Sequence, residues 1–254
     1  MPVTRRPLVA LALCTLLVAL AGCSTPRRPP GPPPLVPPSA PRPTFEIPSL
    51  RDRMVFLARQ EWQLFGAPST RDENGRPTRM TFADPSDPRH ELQPPMLSRV
   101  MMYWYASTRL PIVGHEGELR PWSAAFVTWL ARGAGLEPER FPSTVLHWDY
   151  IERFLAAPRP GDPFVARDPA AHPPRPGDLV CNVRGGAAAD AAFPRLRRGS
   201  YHCDVVVATG AGWVDVIGGN LSDVVALVRL PASGDGRLVP QPSRRWAVVL
   251  EAQG

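Results

Sequence analysis

Tyr201-His202-Cys203-Asp204-Val205-Val206-Val207 reads as a β-strand, and it lies in the half of the chain where the period of the apolar residues is two. Its β-branched run packs poorly in a helix and well on a pleated surface. Alternation places His202 and Asp204 on one face and Cys203 on the other. Similar short runs surround it: Leu179–Cys181, Trp213–Ile217, Asp223–Leu230 and Trp246–Leu250, bounded by Gly, Pro and Asp. Toward the N-terminus the period changes to that of a helix. Leu50, Met54, Leu57, Ala58, Glu61, Trp62 and Phe65 recur at three-to-four spacing and stop at Gly66. Met96–Thr108 predicts a second helix, and Trp122–Ala134 a third, started by Pro121 and stopped by Gly135. Ser143–Leu155 predicts a fourth, with Ser143 as its cap. Three stretches read as irregular: a polar loop with Pro77, Pro85 and Pro88, the Pro-rich Ala157–Pro176, and Arg184–Gly199. Helices first and strands second predict an α+β domain, its N-terminal helical half packed on an antiparallel sheet.

Pro121-Trp122-Ser123-Ala124-Ala125-Phe126-Val127 opens the third helix. Pro121 at the first helical position puts Ser123 in the first turn, where backbone N–H groups lack intrahelical partners and the dipole favours negative charge. A nucleophile is well placed there, and a developing oxyanion can be held. Ser123 borders the apolar stripe of Trp122, Phe126, Trp129 and Leu130, at the edge of the core. Val216-Ile217-Gly218-Gly219-Asn220 ends the strand after that of His202, and the short connection predicts a hairpin-like pair with Asn220 near His202. Ser123, His202 and Asn220 then carry nucleophile, base and orienter chemistry. Asp204 lies on the face of His202 and competes with Asn220 for the orienting role. Plainer readings stand beside these: a helix-start serine, a hydrogen-bonded core histidine, and a turn asparagine after two glycines.

The order of these segments resembles the CHAP and NlpC-type papain-like cell-wall hydrolases. The matching stretches are Trp122–Trp129, Pro176–Val180, His202–Val207 and Ile217–Asn220. The chain more closely resembles a family of bacterial lipoproteins and secreted proteins of uncharacterised function that shares this core, to which Arg59–Gly66 and Phe141–Ile151 are also similar. The likeness covers about residues 50 to 230. It implies a papain-like (NlpC/CHAP-type) fold, a helix N-terminus against an antiparallel sheet or half-barrel. It also implies hydrolysis of peptide or amide bonds in peptidoglycan, with Ser123, His202 and Asn220 or Asp204 at the site and Glu61-Trp62 lining the cleft. One position departs: those enzymes have cysteine where this chain has Ser123. A cysteine starts near pKa 8.5, within reach of a helix dipole and a histidine. A serine hydroxyl starts far higher and needs His202 to take its proton during attack. The departure leaves room for a non-catalytic peptidoglycan-binding or scaffolding lipoprotein. Membrane proximity alone suggests a third reading, acyl transfer to or from a lipid.

Arg5 and Arg6 precede a 14-residue apolar run, Leu8–Ala21, that is too short to span a bilayer and reads as a signal peptide over residues 1–22. Leu20-Ala21-Gly22-Cys23 matches the bacterial lipobox, in which the Cys23 sulfur takes a diacylglycerol and, after cleavage, its amine is acylated, with palmitate as the expected chain. Two or more such chains anchor stably, at roughly 0.8 kcal/mol per buried CH₂. Ser24 rather than aspartate follows, a pattern that in a Gram-negative cell points to an outer-membrane lipoprotein facing the periplasm. Thr25–Pro48 holds 11 prolines in 24 residues, so residues 23–48 read as an extended tether reaching on the order of 75 Å. The folded domain is then 49–254, and the expected partners are the membrane, through the anchor, and cell-wall peptide.

All 29 basic residues are arginine. Without lysine there is no Walker A phosphate contact, no Schiff base and no Ser-Lys dyad. The charge of +6 falls to +4 without Arg5 and Arg6, and the arginines are scattered, so no nucleic-acid partner is expected. The five histidines show no zinc spacing, His147-x-Asp149 alone carries no metal signal, and no Gly-rich phosphate loop is present; neither metal nor cofactor is expected. Trp104, Trp122, Trp129 and Trp148 fit core packing. Cys14 leaves with the signal and Cys23 with the anchor, so Cys181 and Cys203 are a candidate inter-strand disulfide in an oxidising envelope rather than nucleophiles.

Overall fold

Ser49 accepts a hydrogen bond from the Asp52 N–H, and this cap starts the first of four helices: α1 (Leu50–Leu64), α2 (Pro94–Thr108), α3 (Ser123–Gly133) and α4 (His147–Leu155). The computed structural model describes residues 46–73, 76–110, 121–185, 191–241 and 244–254. Residues 1–45, which hold the stretch read as a signal peptide, Cys23 and nearly all of the stretch read as a tether, lie outside the described residues, as does the 111–120 stretch before α3. Glu46–Gly254 form one compact unit. No helix among the described residues is long and apolar enough to cross a membrane.

The helices follow the apolar spacing, with one shift. α4 begins at His147 rather than Ser143. The Ser143 hydroxyl instead accepts from the Arg132 guanidinium at 2.7 Å, and Thr144 Oγ1 takes the Leu146 N–H at 2.9 Å. Those polar groups are engaged ahead of the helix, so Leu146 occupies the cap position without a side-chain cap.

Eight strands form one sheet in the order β2-β1-β7-β6-β5-β4-β8-β3. They are β1 (Ser69–Glu73), β2 (Arg76–Pro77), β3 (Phe164–Arg167), β4 (Leu179–Gly185), β5 (Ser200–Gly210), β6 (Trp213–Gly218), β7 (Ala226–Pro231) and β8 (Arg245–Ala252). The fold class is therefore α+β, but the sheet is mixed rather than antiparallel, because β1 pairs parallel with β7. β1 is the polar Ser-Thr-Arg-Asp-Glu, buried only at alternate residues, and carries no apolar run to announce it. β3 hides in the Pro-rich segment and pairs with β8 at the sheet edge, where flanking prolines cost no ladder bond. Asp223 precedes β7 in a turn with φ 65°, so that strand starts three residues later than its apolar run.

Both sheet faces are apolar, which is why β5 is buried continuously from Tyr201 to Val207. Tyr201, Cys203, Val205 and Val207 join the main core with the helices, and Val206 joins a second cluster with Val180, Val214, Val216 and Val249. Cys181 and Cys203 face each other across β4 and β5 and form a disulfide. Closing a loop of that 22-residue separation stabilises by roughly 3 kcal/mol in the chain-entropy account. The Pro176–Val180 stretch ties α1 to the sheet. A Cβ on Gly177 would lie 2.6 Å from the Arg51 backbone, and its φ of 92° suits glycine. Beside it, Asp178 receives the Arg51 guanidinium at 2.7 Å and the Arg175 and Ala252 N–H groups. Burial raises the Asp178 carboxyl, against those donors.

Candidate active site

The start of α3 is held by aromatic packing. Trp122 is fully buried, its ring 6.0 Å from Phe65 and 5.6 Å from Tyr103, and its indole N–H donates to the Glu91 carboxylate. Phe126, one turn on, meets Tyr103 edge-on at 5.3 Å. Burying two such rings contributes about 1.5–3 kcal/mol each. Trp122 is the N-cap, so Pro121 stands just outside the helix rather than at its first position, and Ser123 is the first helical residue. The first-turn N–H groups of Ser123, Ala124 and Ala125 have no carbonyl one turn back to bond.

Ser123 is 7% exposed, and its Oγ lies 2.7 Å from Nε2 of His147, not of His202. His147 opens α4, and its Nδ1 meets the hydroxyl of Tyr150, one turn along the same buried face. Burial drives the His147 imidazole well below its ordinary range, with His202 and Arg184 adding like charge and Asp204 opposing, so the ring is neutral near pH 7. Burial, with the Asp204 charge, lifts the Tyr150 phenol well above its usual value, so it keeps its proton. The one described partner of that O–H is Nδ1 of His147. Hydrogen-bond accounting then puts the ring proton on Nε2, donating to Ser123 Oγ.

His202 is 1% exposed and comes from β5 with Asp204, as alternation requires. Its Nε2 is 2.7 Å from Asp204 Oδ1, and its buried Nδ1 has no partner among the described residues. The His202 and His147 rings are 5.3 Å apart between centroids. Burial depresses the His202 imidazole, helped by Arg184 and Arg244, while Asp204 pulls the other way. Burial alone would raise the Asp204 carboxyl; His202, Arg244 and Arg184 outweigh it and hold it below the ordinary carboxylate value. Arg244 lies 3.4 Å from Asp204 Oδ2 and 3.3 Å from Asp72 Oδ2, bridging the two acids. The orienting hydrogen bond thus comes from Asp204.

Asn220 sits in a turn at φ 57°, half-buried, and its side chain makes no hydrogen bond with His202 among the described residues. The two glycines before it do the packing. A Cβ on Gly218 would fall 1.9 Å from Asp204 Oδ1 and 3.1 Å from His202 Nε2, and one on Gly219 within 2.8 Å of Phe126 and Trp122. Bare backbone is what lets the end of β6 lie against the His202–Asp204 pair and α3. Glu61 and Trp62 are occupied elsewhere: Glu61 pairs with Arg99 and Tyr103, and the Trp62 indole donates to the Pro68 carbonyl at 2.8 Å. A cleft of about 470 Å³ opens beside Ser123 and His147. No group of three or more His, Cys, Asp or Glu side chains among the described residues is arranged to hold a metal ion.

The structure therefore brings Ser123, His202 and Asp204 into one region, leaves Asn220 in a turn, and adds His147 and Tyr150. The signal for His147 was a polar i, i+3 pair on the face that also buries Ile151 and Phe154, since such a pair needs a partner from another element. The arrangement offers a hydroxyl at a helix N-terminus, a neutral histidine fixing it, and a carboxylate-oriented histidine with an open ring nitrogen. No curated protein and no solved structure matches the chain. Residues 98–252, more than half of the chain, match the family described as "Uncharacterized protein conserved in bacteria (DUF2272)", and the chain belongs to that family.

Proposed function

We propose that this protein is an envelope hydrolase that cleaves a peptide or amide bond of peptidoglycan through Ser123, on a papain-like fold held at the outer membrane by lipid on Cys23. The observation that carries the reading is His202: Nε2 on the Asp204 carboxylate and a buried Nδ1 with no described partner, in a ring next to the one that holds Ser123. In this mechanism Ser123 Oγ attacks the carbonyl carbon and its proton passes to His202 Nδ1. Asp204 stabilises the imidazolium, and the first-turn N–H groups of α3 receive the oxyanion. His202 returns the proton to the leaving amine; water, deprotonated by the same nitrogen, then releases the acyl group. His147 keeps Oγ in place.

Incubating the purified chain and Ser123→Ala with isolated sacculi, followed by mass spectrometry of the soluble muropeptides, tests this. New fragments from the wild type alone are expected. A second reading, a non-catalytic peptidoglycan-binding lipoprotein, is favoured by the Ser123 hydroxyl having His147 rather than His202 as its described partner. Co-sedimentation of both proteins with sacculi and no fragments from either would select it.

A further inference from the structure

The cleft at Ser123 carries a charge pattern that the hydrolytic mechanism does not use. Arg184 and Arg198 line it together with Ser123, His147, Trp148 and Tyr201, and no carboxylate of the described residues lines it. Arg51, Arg99, Arg153, Arg229 and Arg244 have acidic partners, whereas Arg71, Arg195 and Arg197 are, like these two, in no ion pair among the described residues; what sets Arg184 and Arg198 apart is that they share the Ser123 cleft. Among the described residues Arg184 and Arg198 enter no ion pair and no side-chain hydrogen bond. Both are presented by the same end of the sheet. Arg184 sits at the irregularity in β4 between Val183, which faces Tyr201, and Gly185, which faces Ser200; Arg198 lies just before β5 begins. Trp148 and Tyr201 stack at 5.6 Å and give that opening a rigid aromatic wall. Guanidinium groups bind carboxylates through two parallel hydrogen bonds, which supplies both charge and direction.

We propose that Arg184 and Arg198 form a carboxylate-recognition subsite, so that the substrate of the Ser123 site is a peptide bearing a free carboxylate close to the bond that is cut. The catalytic part of this statement rests on the reading of Ser123 above; the binding part does not. The test is calorimetric titration of the full chain carrying Ser123→Ala with N-acetylalanyl-glutamate, with its fully amidated counterpart, and with inorganic phosphate. The diacid is expected to bind at least tenfold more tightly than the diamide, and Arg184→Gln with Arg198→Gln to abolish the difference. Both side chains are exposed, so the double variant should keep its circular dichroism spectrum and melting temperature. Equal affinity for acid and amide, no binding of either, or an unchanged preference in the double variant would overturn the proposal. Phosphate binding as tightly as the diacid would overturn it in favour of a phosphate site. Arginine-dependent binding of the diacid by a protein that releases no muropeptides would retain the subsite and remove the hydrolase.

Discussion

Two buried carboxylates, Glu61 on α1 and Asp204 on β5, have the same burial and opposite character. Both are fully inside the protein and both face an arginine. Glu61 is closed: Arg99 reaches both of its oxygens, Tyr103 donates its hydroxyl, and α1 is thereby fastened to α2. Asp204 instead hands its constraint on to His202 and leaves the far side of that ring with no described partner. Buried charge by itself marks neither a site nor a strut. What each carboxylate holds makes the distinction: Glu61 ties one helix to another, whereas Asp204 holds a histidine whose ring lies beside the one that meets Ser123.

The sharpest way to break this comparison is to remove the nitrogen. His202→Gln is expected to slow muropeptide release on the order of 10⁴-fold. His147→Gln retains an N–H donor for Ser123 and should cost no more than about tenfold by the same assay. Equal losses would move the base to His147 and void the distinction drawn between the rings. At Glu61 the effect should be on stability. Glu61→Ala leaves the buried Tyr103 hydroxyl and the partly exposed Arg99 without their acceptor and is expected to cost about 1–3 kcal/mol in urea unfolding, with the pH dependence of any turnover unchanged. A shift in that pH profile would mean that Glu61 is not a strut.

A subtler perturbation reaches Asp204 through packing. Gly218→Ala places a methyl where Asp204 Oδ1 now lies, so the carboxylate must move and His202 loses its guide. Misplacement of about 1 Å costs on the order of 10²-fold in rate, so a variant with unchanged turnover would show that Asp204 does not orient His202. The smallest effect concerns protons. His147 and His202 are both held below the ordinary histidine value, so the folded state binds fewer protons than the unfolded chain. Their contribution is therefore complete above about pH 6.5 and is lost as pH falls below it toward their folded values, and the depressed Asp204 acts in the same direction lower down. The melting temperature should be nearly level between pH 8 and 7 and fall between pH 6.5 and 5; a melt that rises on acidification would mean the two rings are charged in the native protein.

Much of this was legible in the residues themselves. Apolar residues at three-to-four spacing marked the four helices, and β-branched runs marked five of the strands, because a side chain's local period decides which face it offers. The His202-x-Asp204 spacing placed histidine and carboxylate on one face, and the opposite parity of Cys203 freed it for Cys181. Ser123 at the head of an apolar helix was equally plain. Strands without an apolar signature escaped: β1 is polar, and β3 is four residues among prolines, so both exist only because β7 and β8 offer free edges.

Sequence alone determined the α+β class, the positions of the main elements, and the candidacy of Ser123, His202 and Asp204, since all of these follow from local period and from chemistry carried by single residues. Tertiary structure alone decided the partners. It set His147 against Ser123 across 24 residues, left Asn220 at a positive-φ bend without a hydrogen bond to His202 among the described residues, and cleared space beside Asp204 with Gly218. The physical reason is that a buried polar atom takes its partner from whichever element packs over it, and that packing is fixed by the whole core rather than by its neighbours in the chain.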